Sequence, residues 1–230
     1  MEASDVTLLG MWACPYVNRA QLALKIKSIT YEFIDDNPHE RREMLLKYNP
    51  VHKKIPILIH GDKPVCESLI IVQYIDDAWA NGPSILPSDA YDRALARFWA
   101  AYIDDKWYPL VKVLRQTEKQ EERTSLIQKL SEGLMLLEEA FVNCSKGKPY
   151  FGGDNIGYLD IVLGSVLGWL RVTEIVVEVQ LLDETKTPGL AKWADRFCSD
   201  DAVKDVLPEI DSLLELNKKI QAFIKAGGFK

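Results

Sequence analysis

The amino-acid sequence changes its pattern at residues 81–89, and this change restricts the possible folds more than any other feature. Before it, short apolar runs typical of buried strands alternate with helical segments; after it, apolar residues recur at helical spacing almost throughout. The segment 81–89 itself is rich in glycine, proline and serine, as linkers are. We therefore expect a small α/β domain over 1–80, a linker over 81–89 and an all-helical domain over 90–230.

Within the first part, apolar or alternating runs predict strands at 6–9, 31–34, 57–59 and 64–66. Pro15 favours a helix start, because its missing N–H costs nothing in the first turn. Ser68 is a favourable N-cap for a second helix over 69–79. The charged stretch 35–47 is predicted to be irregular. The residues alone thus predict β-α-β followed by β-β-α.

Within the second part, the helical pattern covers 90–115 and 121–141. Gly157-x-x-Asp160 resembles a capping box, with the acidic residue at N3, and predicts the start of a very apolar, central helix. Pro188 and Pro208 flank two later helices.

Composition and charge exclude several classes of protein. The chain has 230 residues, with 28 Lys and Arg against 34 Asp and Glu, a net charge of −6. This acidic balance argues against a nucleic-acid or anionic-membrane surface. Hydrophobic residues make up 47% of the chain, enough for a core without disulfides or metals. The longest strongly apolar stretch, 161–170, falls short of the roughly 20 residues that span a bilayer.

Cysteine and histidine spacing gives no sign of a metal centre. The cysteines at 14, 66, 144 and 198 form no CxxC pair, and the three histidines lack ligand spacing. The N-terminus lacks the basic and then apolar order of a signal peptide. We therefore expect a cytoplasmic protein with no metal.

Cys14 is the first candidate for chemistry. It stands between a strand end and Pro15, just before the first turn of a predicted helix. Unpaired backbone N–H groups and the positive end of the helix dipole should lower its pKa below the free value of about 8.5. The alternative is that Cys14 is a small buried hydrophobic side chain, as many free cysteines are.

The second candidate joins the segment 52–56 to Glu67 and Ser68. A cis Ile55-Pro56 bond would leave the preceding backbone free to pair with an extended ligand. Ser68, at a helix N-terminus, would bind a carboxylate, and Glu67 would bind an ammonium group. Together they would hold an amino-acid head group. The alternative is an ordinary helix cap beside a solvated glutamate.

With these two candidates, the sequence closely resembles the soluble glutathione transferases, and within them the plant tau class. The resemblance covers nearly the whole chain, and its motifs are the segments 9–12, 49–56, 66–71, 86–89, 96–99 and 150–154. It implies a thioredoxin-like N-terminal domain of order β-α-β-α-β-β-α with a cis-Pro56, which binds glutathione. It also implies an all-helical C-terminal domain that forms an electrophile pocket, and a homodimer. Glutathione is then a co-substrate and no cofactor is needed.

Carried onto this chain, the resemblance assigns roles to five glutathione-binding residues. Glu67 and Ser68 would hold the γ-glutamyl end, and the backbone of Ile55 would pair with the cysteinyl part. Lys54 would meet the glycyl carboxylate, joined by Arg41, which replaces a second lysine usual in the class. Arginine keeps the charge and binds carboxylates bidentately.

The chain departs from the tau pattern at the catalytic position. Tau enzymes normally carry a serine immediately before the proline, and this chain carries Cys14. The lambda, omega and dehydroascorbate-reductase classes have cysteine there, which implies attack on a glutathione disulfide and release by a second glutathione. Val17 leaves no resolving cysteine, so only a monothiol route is open. We expect weak conjugation together with thiol transfer.

The resemblance also assigns the electrophile pocket, whose residues are Met11, Trp12, Tyr16, Tyr108, Lys112 and Trp169. Aromatic residues at helical spacing also pack as ordinary core, which is the alternative for each of them. Together they predict a broad apolar site for flat hydrophobic substrates.

Two further functions stay open beside the enzyme. One is a non-catalytic carrier of hydrophobic metabolites or glutathione conjugates, and the other is a redox sensor that is S-glutathionylated at Cys14.

Overall fold

The first half of the chain is an α/β unit around one small sheet. The computed structural model describes residues 5–35 and 38–227, with only the backbone of 38–41. The elements are β1 (Val6–Leu9), α1 (Pro15–Ile26), β2 (Glu32–Ile34), α2 (Pro38–Tyr48), β3 (Ile57–His60), β4 (Lys63–Cys66) and α3 (Ser68–Ala78). This is the order of a thioredoxin-like domain, and the predicted fold class is confirmed. The Ile55-Pro56 peptide bond is cis, as expected.

The register of the sheet brings three separate segments to one edge. The strand order is β2-β1-β3-β4, with β1 parallel to β2 and β3 antiparallel to both of its neighbours. Leu9, at the end of β1, pairs with Ile57 at the start of β3, and Ile57 also pairs with Cys66 at the end of β4. The loop after β1, the cis peptide before β3 and the turn after β4 therefore meet at the same edge.

The second half is helical. Its elements are α4 (Ala90–Tyr102), a π-helical turn (Ile103–Trp107), α5 (Tyr108–Gln116), α6 (Gln120–Ser145), α7 (Tyr158–Gly164), α8 (Leu167–Val177), α9 (Pro188–Ser199) and α10 (Ile210–Lys225). The capping interaction predicted for α7 is present, because the Asp160 carboxylate accepts a hydrogen bond from the Gly157 N–H at 2.9 Å. In the described part of the chain, no helix combines the length and the apolar character that crossing a membrane requires.

Several local predictions were wrong. The stretch predicted to be irregular contains most of α2, which is so rich in charged residues that Met44, Leu45 and Tyr48, which pack on the smaller apolar cluster, give only a weak amphipathic signal. Ser68 is the first residue of α3, and its N-cap is Glu67, with φ 70° and ψ 119°. The pattern over 90–115 is interrupted by the π-helical turn before Pro109. The predicted central helix is likewise two helices, because the chain breaks at 165–166.

The two halves share a continuous core. One apolar cluster contains buried residues of α1 and α3 together with residues of α4 to α9, and a smaller cluster lies on the other face of the sheet around Leu9 and Ile57. The connecting segment is anchored by Asp76, whose carboxylate accepts from the N–H groups of Ile85 and Leu86 at 2.9 Å each and pairs with buried Lys27 at 2.6 Å.

Candidate active site

Cys14 is the N-cap of α1 and is held from both halves of the molecule. Its N–H donates to the Met11 carbonyl at 2.9 Å, and its carbonyl accepts from Val17 at 2.9 Å. The preceding residue is fixed from the helical half, because the Trp169 indole N–H donates to the Ala13 carbonyl at 2.8 Å. Backbone hydrogen bonds and the Trp169 indole therefore hold the loop that carries the Cys14 sulfur. This loop lies at the sheet edge where the three segments meet.

Burial, and not the helix N-terminus, controls the acidity of this thiol. The pKa of Cys14 lies above its ordinary value, because removing the sulfur from water penalises the thiolate more than any other effect. The N–H groups of Val17 and Tyr16 oppose this, and the cations Lys112 and Arg19 do so more weakly. The expectation of a lowered pKa was wrong. The effects it named are present, but desolvation exceeds them, so Cys14 is a neutral thiol at pH 7.

Glu67 and Ser68 stand at the start of α3, on the same edge of the sheet. The Glu67 side chain is 49% exposed, while Ser68 is buried. The Ser68 hydroxyl accepts a hydrogen bond from the Arg19 guanidinium at 3.3 Å. The first-turn N–H groups of α3 have no intrahelical acceptors and offer an anion site beside an exposed carboxylate.

Arg19 connects this head-group site to the rest of the molecule. It is fully buried and forms two 2.7 Å bonds with the Asp104 carboxylate in the π-helical turn. It also donates to the Ser165 hydroxyl at 3.1 Å and the Val162 carbonyl at 3.2 Å. Cys14 and Arg19 belong to the start and the second turn of α1, so one helix positions both the sulfur and the Ser68 contact.

The loop before cis-Pro56 is organised by buried Asn49. Its side-chain amide donates to the Lys54 carbonyl at 2.9 Å, and its amide oxygen accepts from the His52 N–H at 3.1 Å. The Lys54 side chain is exposed. In the described part of the chain, no hydrogen bond involves the backbone of Ile55, which leaves it open to an extended ligand. The side chain of Arg41 lies outside the described residues.

Of the six residues predicted for the electrophile pocket, four form one group beside Cys14. The rings of Tyr16 and Tyr108 pack edge to face with centroids 6.2 Å apart, and the Lys112 ammonium lies 5.1 Å and 4.9 Å from them. Trp169 belongs to the same group because its indole N–H donates a hydrogen bond to the Ala13 carbonyl, next to Cys14. Met11 and Trp12 belong to the loop of Cys14, where Met11 is half-buried and Trp12 is 36% exposed.

Sequence reasoning missed Arg115, Arg19 and Asp104. The Arg115 guanidinium stacks 4.3 Å from the centre of the Trp169 ring. Tyr108, Lys112 and Arg115 follow the i, i+4, i+7 spacing of one helix face, a signal that could have found Arg115. Arg19 and Asp104 lie 85 residues apart, and no local pattern pairs them.

One cavity of the described molecule lies away from the predicted site residues. A cavity of about 570 Å³ lies between α8, α9 and the segment 204–210, and none of the predicted site residues lines it. In the ranges 5–35 and 38–227, no group of His, Cys, Asp and Glu side chains is arranged to hold a metal ion.

Comparison with known proteins identifies the class that this fold and site define. Residues 4–77 match the model of the glutathione S-transferase N-terminal domain, and residues 98–201 match that of the C-terminal domain. The chain belongs to the glutathione S-transferase family.

Close relatives place it more narrowly. It is 58% identical to glutathione S-transferase U17 of Arabidopsis thaliana over 221 residues, covering 96% of this chain and 97% of the relative. The tau-class enzyme MiGSTU from mango, Mangifera indica, superposes with a TM-score of 0.90 at 57% identity, covering 94% and 98% of the two chains. Rice GST1 in complex with glutathione superposes with a TM-score of 0.86 at 31% identity, covering 95% and 99%. The chain is a tau-class glutathione transferase.

Proposed function

We propose that the chain binds glutathione along the sheet edge where β1, β3 and β4 bring Cys14, Ile55 and Glu67 together. The register that pairs Leu9 with Ile57 and Ile57 with Cys66 is the observation on which this proposal depends. Glu67 and Ser68 bind the γ-glutamyl group, the Ile55 backbone pairs with the cysteinyl part, and Lys54 and Arg41 meet the glycyl carboxylate. The rice relative was solved in complex with glutathione, which supports glutathione as the ligand.

The reaction proposed is conjugation of glutathione to hydrophobic electrophiles. The thiol of bound glutathione loses its proton to solvent, and the neutral Cys14 thiol donates a hydrogen bond to the resulting thiolate. The thiolate attacks the electrophilic carbon, from which a leaving group departs or, in an addition, a π electron pair moves to the neighbouring atom. A thiol is a weak donor, so this support is smaller than a hydroxyl would give. Met11, Trp12, Tyr16, Tyr108 and Trp169 are proposed to form the apolar walls of the electrophile pocket. Relatives named as transferases favour an enzyme over a carrier.

Titration of glutathione into the protein tests the binding site. Because Glu67 is assigned to the ammonium group, Glu67→Gln should weaken glutathione binding roughly tenfold, the effect of losing one charge-assisted hydrogen bond of about 1.5 kcal/mol. The matched control is Glu139→Gln, an exposed glutamate on α6. Equal affinities in the wild type and Glu67→Gln would remove Glu67 from the site.

A second activity, monothiol transfer, is favoured by the backbone around Cys14. Burial keeps the net pKa of the thiol raised, but the N–H groups of Tyr16 and Val17 oppose it and would stabilise the thiolate once it forms. That thiolate would attack the glutathionyl sulfur of a mixed disulfide, releasing the other thiol and leaving glutathionylated Cys14. A second glutathione thiolate would then attack the glutathionyl sulfur, giving glutathione disulfide and free Cys14. Each step breaks one disulfide bond and forms another, so the number of thiols does not change.

We also propose a homodimer through α3 and α4. Ile70, Tyr91 and Phe98 are 54%, 70% and 60% exposed, an unusual density of large apolar side chains for adjoining helices. The two helices are joined by the Arg97 to Gln73 hydrogen bond of 2.9 Å. A Phe98→Glu variant should elute as a monomer, and a wild type that sediments as a monomer would contradict the proposal.

We further propose two domains, over 1–80 and 90–230, which the linker 81–89 joins. We also propose a cytoplasmic location. The family-model matches fall on either side of the linker and support this division.

A further inference from the structure

The electrophile side of the proposed site contains two cations, Lys112 and Arg115, on one helix. Lys112 and Arg115 lie on the same face of α5 as Tyr108, and both are half-buried. Within the described part of the chain, neither forms an ion pair with an acidic side chain. Arg115 has only a 3.5 Å contact with the Thr173 hydroxyl and its stacking on Trp169. Partly buried cations normally have charged partners, so this pair is unusual.

The surrounding groups do not compensate the two charges. Asp104 acts electrostatically on Lys112, but both carboxylate oxygens of Asp104 accept 2.7 Å hydrogen bonds from Arg19. Burial raises the pKa values of Tyr16 and Tyr108, so their phenols stay neutral. Burial also lowers the pKa values of Lys112 and Arg115, as expected for cations that lose water without gaining an anion.

The two cations rest on the aromatic walls of the pocket. The Lys112 ammonium lies over Tyr16 and Tyr108, and the Arg115 guanidinium lies over Trp169, whose indole is bonded to the residue before Cys14. Tyr108 and Trp169 are buried, so a flat ligand would pack against half-buried Tyr16, and its substituents would lie in the field of the cations. A guanidinium and an ammonium are the groups that bind a carboxylate well.

The geometry points to a pocket that selects aromatic electrophiles carrying a carboxylate, with Lys112 and Arg115 as the residues that determine this specificity. The inference rests on the proposed conjugating function and names the substrate class for that same site. It differs from the sequence-based expectation of a merely apolar pocket, because it adds a preference for a negative charge at the end of the ligand remote from the reacting carbon.

A matched pair of electrophiles tests the inference. In para-carboxyphenyl isothiocyanate and para-carbamoylphenyl isothiocyanate, only the charge of the para group differs greatly. Glutathione sulfur bonds to the central carbon, the carbon–nitrogen π electrons move to nitrogen, and nitrogen takes the proton that the thiol loses. There is no leaving group and no redox change. For each compound, kcat/KM is divided by the rate constant of the uncatalysed reaction with glutathione.

We expect the wild type to favour the carboxylate about tenfold on this corrected scale, as a pair of partly solvated charges at close range allows. Lys112→Met and Arg115→Met should each reduce the preference, and the double variant should bring the ratio to about one. Lys106→Met is the matched control, since Lys106 is exposed in the π-helical turn, and it should keep the wild-type ratio. A ratio near one in the wild type, or a tenfold ratio that survives in the double variant, overturns the inference.

If a variant does not fold, the salt dependence and the ligand binding of the wild type still test the inference. Raising the ionic strength from about 0.01 M to about 1 M shortens the Debye length from about 30 Å to about 3 Å. The preference of the wild type should then fall, though by less than for exposed charges because both cations are half-buried. If the wild type consumes neither compound, the proposed function fails. Calorimetry with S-(para-carboxybenzyl)glutathione and S-(para-carbamoylbenzyl)glutathione then decides the inference, which requires tighter binding of the carboxylate.

Discussion

At the scale of single residues, Cys14 shows how two effects of known direction compete. Its place at the start of α1 could be predicted from the strand end and from Pro15, and so could the lowering of its pKa by backbone N–H groups. The opposing burial depends on Trp169 and on α5, which belong to the other half of the chain, and no local sequence pattern reports it. The direction of the net pKa shift therefore required the structure.

Alkylation of the free protein tests that direction. The reactive species is the thiolate, so the rate at Cys14 should follow its ionisation. Because the pKa of Cys14 is raised, we expect its rate with iodoacetamide to keep rising at pH values where free glutathione has levelled off. Mass spectrometry of the Cys14 peptide gives the rate, and a separate tube of free glutathione gives the reference. A plateau below about pH 7.5 would mean that the helix N-terminus dominates after all.

At the scale of elements, strands and strongly amphipathic or capped helices were the predictable part. β1, α1 and the start of α7 follow from apolar runs, from Pro15 and from Gly157-x-x-Asp160. α2 was missed because its many charged residues mask the apolar face formed by Met44, Leu45 and Tyr48. The break of one helical pattern into α4, a π-helical turn and α5 was missed as well, since the pattern continues through it. The consequence concerns function, because α5 carries Lys112 and Arg115, the two cations of the proposed specificity.

Asp160 gives a prediction at this scale. Its two oxygens accept four hydrogen bonds, from the N–H groups of Phe151, Gly152 and Gly157 and from the Trp193 indole. In Asp160→Asn, one oxygen becomes an NH₂ group that faces two N–H donors. We expect the unfolding free energy to fall by about 2–5 kcal/mol, at roughly 1–3 kcal/mol for each buried donor left without an acceptor.

Urea denaturation at fixed protein concentration measures this change. Asp154→Asn, in the same loop, is the control, because Asp154 makes only an exposed ion pair with Lys148 and should change stability by less than about 1 kcal/mol. Equal stability of Asp160→Asn and wild type would show that the carboxylate does not hold the start of α7.

At the scale of the whole molecule, the two halves are joined by buried contacts that sequence reasoning could not supply. The resemblance of the motifs predicted both halves and the glutathione site between strands and α3. It did not predict that Arg19 binds Ser68, Asp104 and the end of α7 together, since these partners lie far apart in the chain. This cluster makes the Cys14 helix part of the interface between the halves.

The Arg19–Asp104 pair should therefore control the stability of the assembled halves. Asp104→Asn leaves a fully buried guanidinium without its counter-charge, and the expected loss is about 3–5 kcal/mol of unfolding free energy. Asp105→Asn, the exposed neighbour, is the control and should change little. Thermal unfolding followed by far-ultraviolet circular dichroism compares the variants with wild type. Indistinguishable midpoints for Asp104→Asn and Asp105→Asn would contradict a central role for the pair.

The most direct test of the account compares two reactions in wild type and Cys14→Ser. One is conjugation of glutathione to an aromatic electrophile, and the other is turnover of a glutathione–cysteine mixed disulfide with excess glutathione. If Cys14 faces the glutathione sulfur, Cys14→Ser should abolish disulfide turnover. It should also raise conjugation about tenfold, because a hydroxyl adds a charge-assisted hydrogen bond of roughly 1.5 kcal/mol to the developing thiolate. If neither rate changes, Cys14 is not the group that meets the glutathione sulfur.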